Sequence, residues 1–311
     1  MHYSEPRRVA IIGGIRIPFA RSYTSYANMS NQDMMTATLR GLVNKYHLNG
    51  KKIGDVSLGA VIKHSKDWNL ARECVLGSGL SAESPAFDIQ RACGTSLEAA
   101  TLIGNKIALG QIDSGIAAGT DTISDTPIVY PKNYQGLLLA SATAKSFAGK
   151  IKPWFGLRPS MFQPEFPDVV EPRTGLSMGQ SNELTAKEWG ISRQSQDELA
   201  FTSHMNAAQA YKSGFYDDLI VDHGGIKRDN NLRPDTSLEK LSKLSAAFDK
   251  SPTGTMTAGN STPLTDGAAA VLLGSEEWAK ENNLPILADP RYCKSAAVDF
   301  VNKEGLLMAP A

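Results

Sequence analysis

The chain has 311 residues, a formal net charge of zero, 41% hydrophobic residues and 21% charged residues. This length suits one large or two ordinary domains with a buried core, and the balanced charge argues against a general binder of nucleic acid or anionic membranes. The three cysteines are widely spaced, which gives neither a disulfide framework nor paired metal ligands and fits a reducing compartment. Since the sequence shows neither a bilayer-length apolar run nor a signal-peptide core, we expect a cytoplasmic protein.

The first part of the chain alternates short apolar strands with amphipathic helices. Residues 9–13 end in glycines and predict a buried strand, and Asn31 can cap a helix that runs to about Tyr46. Further strands are predicted at 56–62, 86–89 and 114–119, with a helix at 70–76. Strands that alternate with helices predict an α/β fold built on a mainly parallel, covered sheet.

A lone cysteine, Cys93, falls where the strand at 86–89 gives way to a helix that ends near Gly110. Residues after Cys93 are nearly all small or apolar, so this helix should be buried on most faces. A cysteine at a helix N-terminus lies near free N–H groups and the positive end of the dipole, and both favour the thiolate. Cys93 is therefore a candidate nucleophile, and the alternative is a core cysteine packed as a small hydrophobe.

The alternation breaks in the segment from Pro127 to Pro172, which contains seven of the chain's 16 prolines, both ends included, and several large aromatic residues. This composition predicts an insertion folded over the core, since it is too apolar to stay solvated. Helices are predicted at 177–189 and 192–213, followed by a strand at 268–273, a short helix capped by Ser275 and a further strand unit at 285–300.

Three segments resemble signatures of the thiolases: NLAREC at 69–74, the stretch 175–220 that begins GLSMGQSNELTAKEWG, and MTAGNSTPLTDGAAAVLL at 256–273. Their order and spacing agree with that family over about the whole chain. The likeness is strongest to the bacterial acetyl-CoA C-acyltransferases of fatty-acid β-oxidation and to the β subunit of the mitochondrial trifunctional enzyme. The resemblance implies the thiolase fold, an α/β arrangement layered α-β-α-β-α with mixed, mainly parallel sheets.

The resemblance also implies the chemistry. A thiolase cleaves a 3-ketoacyl-CoA with CoA, giving acetyl-CoA and a shortened acyl-CoA through an acyl-cysteine intermediate. Cys93 matches the acylated nucleophile, and its backbone N–H matches a donor to the oxyanion. Coenzyme A enters as a substrate, with no permanently bound cofactor and no metal. The residues that match its binding site are Met178, beside the pantetheine, and Ala258, Gly259, Asn260, Ser261, Thr262 and Leu264 in a loop.

The sequence departs from the family pattern in several places. Ser177 stands where many thiolases have histidine, and Pro263, which offers no N–H, stands where they have glycine. The Asn/His-Glu-Ala-Phe, Gly-His-Pro and Cys-x-Gly motifs are not found, and none of the five histidines lies in a Gly-His-Pro context. We therefore expect this chain to be an inactive fragment whose Cys93 is labelled slowly by acyl-CoA analogues without steady-state thiolysis.

The resemblance divides the chain into four parts. Residues 1–127 form the N-terminal core with the nucleophile, 128–256 a loop domain over the CoA site, 257–278 a return strand of the core, and 279–311 the start of a truncated C-terminal half.

Two other functions remain open. One is biosynthetic Claisen condensation of two acetyl-CoA molecules in the same fold, and the other is a non-catalytic acyl-CoA-binding or partner subunit. By resemblance the protein forms a homodimer or tetramer in the bacterial cytoplasm and pairs with a hydratase/dehydrogenase subunit. Basic residues at 227–243 are expected to be a solvated surface, with one or two of them available to CoA phosphates.

Overall fold

The computed structural model describes residues 5–167, 170–302 and 306. The chain folds into two compact units, one that runs up to Asp125 and resumes at Val170, and another that begins at Thr126 and ends before Val170. The four-part division expected from the sequence stays a prediction. Residues 303–305 and 307–311 of its C-terminal part lie outside the described residues.

The first unit is built on a six-stranded sheet. Its strands are β1 (Val9–Arg16), β2 (Ala20–Arg21), β3 (Asp55–Gly59), β4 (Ala86–Asp88), β5 (Ser114–Asp121) and β6 (Thr265–Ser275). The main order is β1-β6-β5-β3-β4, and β2 pairs with β6 off this path. Strand β3 runs parallel to β4 and β5, whereas β6 runs antiparallel to β1 and β5. The sheet is therefore mixed, and the predicted α/β class is confirmed.

The helices of the first unit are α1 (Asn31–Lys45), α2 (Leu70–Ser78), α3 (Thr95–Ala108), α6 (Met178–Glu188), α7 (Arg193–Lys212), α8 (Leu238–Ser242) and α9 (Glu276–Glu281). Side chains of α1 and α2 pack with Ile116 of β5 and Leu272 of β6. Side chains of α3 pack with the next residues along the same strands, Ala117 and Leu273. Because successive strand residues point to opposite faces, α3 covers the face opposite α1 and α2.

Helix α3 is buried along one stripe only. Ala99, Ile103 and Ile107, spaced four residues apart, are fully buried against the sheet, while Leu97 is 70% exposed. The prediction of a helix buried on most faces is wrong, because the sheet contacts a single side of α3.

Most predicted boundaries hold to within a few residues, and the exceptions have local causes. Strand β3 ends at Gly59 rather than at residue 62, because the N–H groups of Val61 and Ile62 donate to the Asp121 carboxylate at 2.9 and 3.0 Å. Helix α1 is capped by Ser30, one residue before the predicted cap, in a capping box with Asp33.

Residues 285–300 do not form the predicted strand unit. A single ladder step joins this segment to β1, where Ile11 donates to the Ala288 carbonyl at 2.8 Å and Leu287 donates to the Ile11 carbonyl at 2.9 Å. Pro290 follows two residues later and lacks the N–H needed to continue a ladder.

The second unit contains α4 (Lys132–Thr143), α5 (Phe147–Ile151) and two 3₁₀ turns, Lys152–Gly156 and Pro159–Phe162. Its aromatic residues pack on one another, with the Tyr134 ring 4.9 Å from Tyr130 and 5.2 Å from Phe162 between centroids. The indole N–H of Trp154 donates to Ser141 at 2.9 Å. Across the described residues of both units, no helix is long and apolar enough to cross a membrane.

Candidate active site

Cys93 lies in a tight turn between β4 and α3. After β4 ends at Asp88, Ile89 still donates to the Leu58 carbonyl of β3 at 3.0 Å. Helix α3 begins at Thr95, with Gly94 as its N-cap, so Cys93 precedes the cap. The predicted placement of Cys93 between a strand and a helix is confirmed, two residues before the first helical residue.

Hydrogen bonds between neighbouring residues of the turn close it. The Thr95 hydroxyl accepts from the Arg91 N–H at 2.8 Å and donates to the Ala92 carbonyl at 2.7 Å. Gly94 donates to the Arg91 carbonyl at 2.9 Å. Ala92 is held at a φ of 41°, in the left-handed region that a residue with a Cβ rarely adopts. Such backbone strain persists only where the surroundings enforce it, and it concentrates at functional sites.

The strained turn presents Cys93 to solvent. Cys93 is exposed, and no side chain caps the start of α3. Within the described part of the chain, the Cys93 N–H makes no hydrogen bond. The first N–H groups of an uncapped helix carry partial positive charge. The turn can therefore hold an anion, or an oxygen that is gaining negative charge, beside the sulfur.

Two glycines of the central strands let the turn lie against the sheet. A Cβ built on Gly59 would fall 1.9 Å from the Ile89 carbonyl oxygen and 2.8 Å from Thr95 Cγ2. A Cβ built on Gly119 would fall 1.9 Å from the Ser96 Oγ. At Gly59 the atom that would be met is main chain, so only glycine permits this approach, whereas at Gly119 it is a side-chain hydroxyl.

A second cysteine lies on the outer side of α3. Cys293 is exposed, and its Sγ lies 2.8 Å from the Thr101 hydroxyl. It lines a cavity of about 210 Å³ together with Arg91, whose guanidinium donates to Ser295 at 2.6 Å and lies 3.3 Å from the Glu98 carboxylate. Arg91 and Gly94 of the turn and Leu97 and Thr101 of α3 also line this cavity.

The third cysteine, Cys74, is not a candidate nucleophile. Cys74 is fully buried in α2, and burial raises the pKa of its thiol to about 12. A buried neutral thiol behaves as a small hydrophobe.

The residues expected to bind CoA lie in two places that the structure brings together. Met178 is the first residue of α6 and is 41% exposed. One turn later, the Asn182 amide lies 3.3 Å from Met256 Sδ, two residues before the predicted loop. In that loop Ala258, Thr262 and Leu264 are exposed, and Gly259, Asn260 and Ser261 are partly buried. Among the described residues, no hydrogen bond or ion pair joins Cys93 to this loop or to α6.

Sequence reasoning missed several residues that shape these two places. Thr95 and Gly59 hold the turn, but a threonine after Cys-Gly and a glycine at a strand end are too common to single out. Glu183 and Asp197 are buried behind the loop, although carboxylates in polar helices are normally exposed.

The basic stretch after α7 and the histidines His64 and His204 show ordinary structural contacts. The Arg228 guanidinium lies 4.4 Å from the centre of the Tyr211 ring, a cation–π distance. His64 Nε2 lies 3.1 Å from Asp125 Oδ1. Burial lowers the pKa of His204, and the nearby Arg233 lowers it further. These contacts assign no catalytic role.

The fold and the turn define an α/β protein that carries an exposed cysteine where the edge strand β4 passes into a helix. Residues 9–277 match the family described as thiolase, N-terminal domain. The protein is 40% identical over 311 residues to a 3-ketoacyl-CoA thiolase of Photobacterium profundum, covering 98% of this chain and 70% of the relative. It is also 40% identical over 310 residues to a 3-ketoacyl-CoA thiolase of Vibrio cholerae, covering 98% and 71%. The chain belongs to the thiolase family.

Solved structures agree with this assignment. The acetyl-CoA acetyltransferase of Bacillus anthracis superposes with a TM-score of 0.76 at 27% identity, over 92% of this chain and 70% of that one. The human mitochondrial 3-ketoacyl-CoA thiolase, solved in complex with CoA, superposes with a TM-score of 0.74 at 24% identity, over 91% and 68%. The family and the thiolase fold predicted from the sequence are confirmed.

Proposed function

We propose that this chain is a 3-ketoacyl-CoA thiolase that carries the acyl group on Cys93. The observation that carries the proposal is the strained turn, which holds an exposed thiol before the uncapped start of α3 in a thiolase-family fold. The expected class, an acyltransferase of the thiolase type, agrees with family membership and with the curated relatives.

The chemistry follows from the place of the thiol. The thiolate of Cys93 attacks the 3-keto carbon of the substrate, and the carbonyl oxygen gains negative charge. The Cys93 N–H, which has no partner among the described residues, is placed to donate to this oxygen. The bond between carbons 2 and 3 then breaks, and the carbanion of the leaving acetyl-CoA takes up a proton from solvent, which balances the proton lost by the Cys93 thiol. The thiol of a second CoA finally attacks the thioester and releases Cys93.

Coenzyme A is proposed to bind along the start of α6 and the loop at 258–264. Met178 offers an exposed apolar contact for the pantetheine arm, and the loop offers backbone amides and the Thr262 hydroxyl. Exposure of Ala258 and Leu264 beside α6 supports this placement.

Acyl transfer to the protein tests the proposal. The chain is mixed with acetyl-CoA, and the released CoA thiol and the protein-bound acetyl group are both measured. Cys93→Ser should abolish both signals, and the matched variant Cys293→Ser should retain them. Equal acetylation of the Cys93→Ser variant and the unsubstituted chain would overturn the assignment.

The remaining expectations stay predictions at this stage. They are slow acylation of Cys93 without steady-state thiolysis by this chain, a homodimer or tetramer, a hydratase/dehydrogenase partner subunit, a place in the bacterial cytoplasm and a role in fatty-acid β-oxidation.

A further inference from the structure

Two carboxylates behind the proposed CoA loop are almost completely buried. Glu183 of α6 is 2% exposed and Asp197 of α7 is 4% exposed. Removing a carboxylate from water costs several kcal/mol unless hydrogen bonds replace the lost hydration. Both carboxylates obtain such bonds from the segment 255–260, which leads into and forms the loop.

Glu183 binds the backbone at the point where the loop begins. Its Oε1 accepts from the N–H groups of Thr255 at 2.9 Å and Met256 at 2.7 Å, and its Oε2 accepts from the Thr255 hydroxyl at 2.9 Å. Gln196 of α7 donates to the same hydroxyl at 3.0 Å. One side chain therefore satisfies three donors of two adjacent loop residues.

Asp197 fixes the far side of the loop through Asn260. Its Oδ1 accepts from Asn260 Nδ2 at 3.0 Å, and its Oδ2 accepts from Arg193 Nε at 2.8 Å. Asn260 in turn accepts from the Thr257 N–H at 2.7 Å and donates to the Thr255 carbonyl at 3.2 Å. The loop is thus tied across itself and anchored to α7.

Close packing leaves the loop little freedom between these anchors. A Cβ built on Gly259 would fall 2.5 Å from Leu244 Cδ1 and 2.6 Å from Leu241 Cδ2 of α8. The Ser261 hydroxyl is buried without a partner in the described part of the chain, so this side chain does not fasten the loop. The two carboxylates, together with the Gln196 and Asn182 amides, therefore carry its polar attachment to α6 and α7.

We propose that Glu183 and Asp197 are positioning residues that hold residues 256–262 in the conformation that binds CoA. Neither carboxylate touches the ligand; both act through backbone and through Asn260. Helix α6 carries Met178 at one end and Glu183 on the next turn, so the same helix sets both walls of the site. This inference rests on the proposed function for the identity of the ligand.

Amide variants test the inference because they keep side-chain size while replacing an acceptor with a donor. In Glu183→Gln, an NH₂ group faces donors of Thr255 or Met256, and in Asp197→Asn it faces Asn260 or Arg193. The matched controls make the same chemical change at exposed neighbours, Glu188→Gln on α6 and Glu198→Gln on α7.

Two measurements are made on each folded variant. Calorimetry gives the dissociation constant of CoA, and hydrogen exchange with mass spectrometry gives the protection of amides 255–262. We expect CoA binding to weaken at least about tenfold, and loop exchange to speed up, in both amide variants. Exchange in α3 and in the controls should stay as in the unsubstituted chain.

The outcomes separate the two proposals. If the unsubstituted chain binds CoA and both amide variants bind it equally well, the positioning role is overturned and the proposed function stands. If the unsubstituted chain does not bind CoA, both the CoA site and the positioning role are overturned. If Glu183→Gln fails to fold, Asp197→Asn with its control decides by the same criteria.

Discussion

The most sensitive structural test of the Cys93 turn is Gly59→Ala. The added Cβ would fall 1.9 Å from the Ile89 carbonyl oxygen, whereas an ordinary carbon–oxygen contact is about 3.3 Å. Strand β3 or the turn must therefore retreat by about 1.4 Å, taking the difference of these two distances. The backbone fixes the position of the added Cβ, and the Ile89 oxygen belongs to the main chain. No side-chain rotation can therefore relieve the overlap.

Overpacking of this kind typically costs about 1–3 kcal/mol. The retreat also strains the hydrogen bond from Ile89 to the Leu58 carbonyl, so we expect the upper end of that range for Gly59→Ala. Gly119→Ala should cost less, since its Cβ meets the Ser96 hydroxyl, which can rotate away into solvent.

Gly104→Ala should instead raise the stability of the protein. This glycine lies inside α3, and its Cβ would meet Val9 at 3.9 Å, an ordinary contact. Alanine is the better helix former by roughly 0.5–1 kcal/mol, so the variant should be more stable than the unsubstituted chain.

Urea unfolding measures the free energies, and the rate of Cys93 alkylation measures the geometry of the turn. We expect stability to fall in the order Gly104→Ala, unsubstituted chain, Gly119→Ala, Gly59→Ala, with the alkylation rate of Cys93 changed in Gly59→Ala. A Gly59→Ala protein as stable as the unsubstituted chain would show that the turn does not lie against β3 as described.

Four further substitutions test the packing and charge of the same unit. Asp229→Asn removes the carboxylate that Arg16 binds with two nitrogens at 2.7 and 2.9 Å, and should cost about 1.5–3 kcal/mol in urea unfolding. Ile103→Ala should cost about 2–5 kcal/mol, whereas Leu97→Ala on the exposed side of α3 should stay within about 0.5 kcal/mol. Burial lowers the pKa of His223, and this effect outweighs the negative charge of Asp33, which raises it. The neutral form is therefore favoured in the folded state, and stability present above about pH 6.5 should fall as the pH drops through the folded pKa. His223→Gln should reduce that loss when unfolding midpoints at about pH 7.5 and about pH 5.5 are compared, and an unchanged loss would exclude His223 as its source.

The sequence predicted the features that are set by neighbouring residues. Helix starts at Ser177, Ser192 and Ser275 were correct because each serine accepts from an N–H of the first turn, a contact of three residues. The position of Cys93 between a strand and a helix followed from the same kind of short-range sequence signal.

Features that depend on contacts between residues far apart in the sequence could not be predicted from local patterns. Strand β6 lies between β1 and β5 although it follows them by more than a hundred residues. The burial of Glu183 depends on donors 72 and 73 residues further along. Nothing in the local pattern of α6 distinguishes this carboxylate from a solvated one.

The left-handed backbone conformation of Ala92 is a further feature that local patterns do not predict. Alanine has no preference for positive φ, so no local sequence pattern indicates this conformation. The conformation is imposed by Thr95 and by the approach of β3 to the turn.

Mapping the site of modification tests the central claim most directly. The chain is incubated with an alkylating analogue linked to CoA, with and without excess CoA, and the modified peptides are identified by mass spectrometry. Modification should occur at Cys93 and be suppressed by CoA, while the exposed Cys293 reacts more slowly and without protection. Equal modification of Cys93 and Cys293, unaffected by CoA, would contradict the assignment of Cys93 as the acyl acceptor.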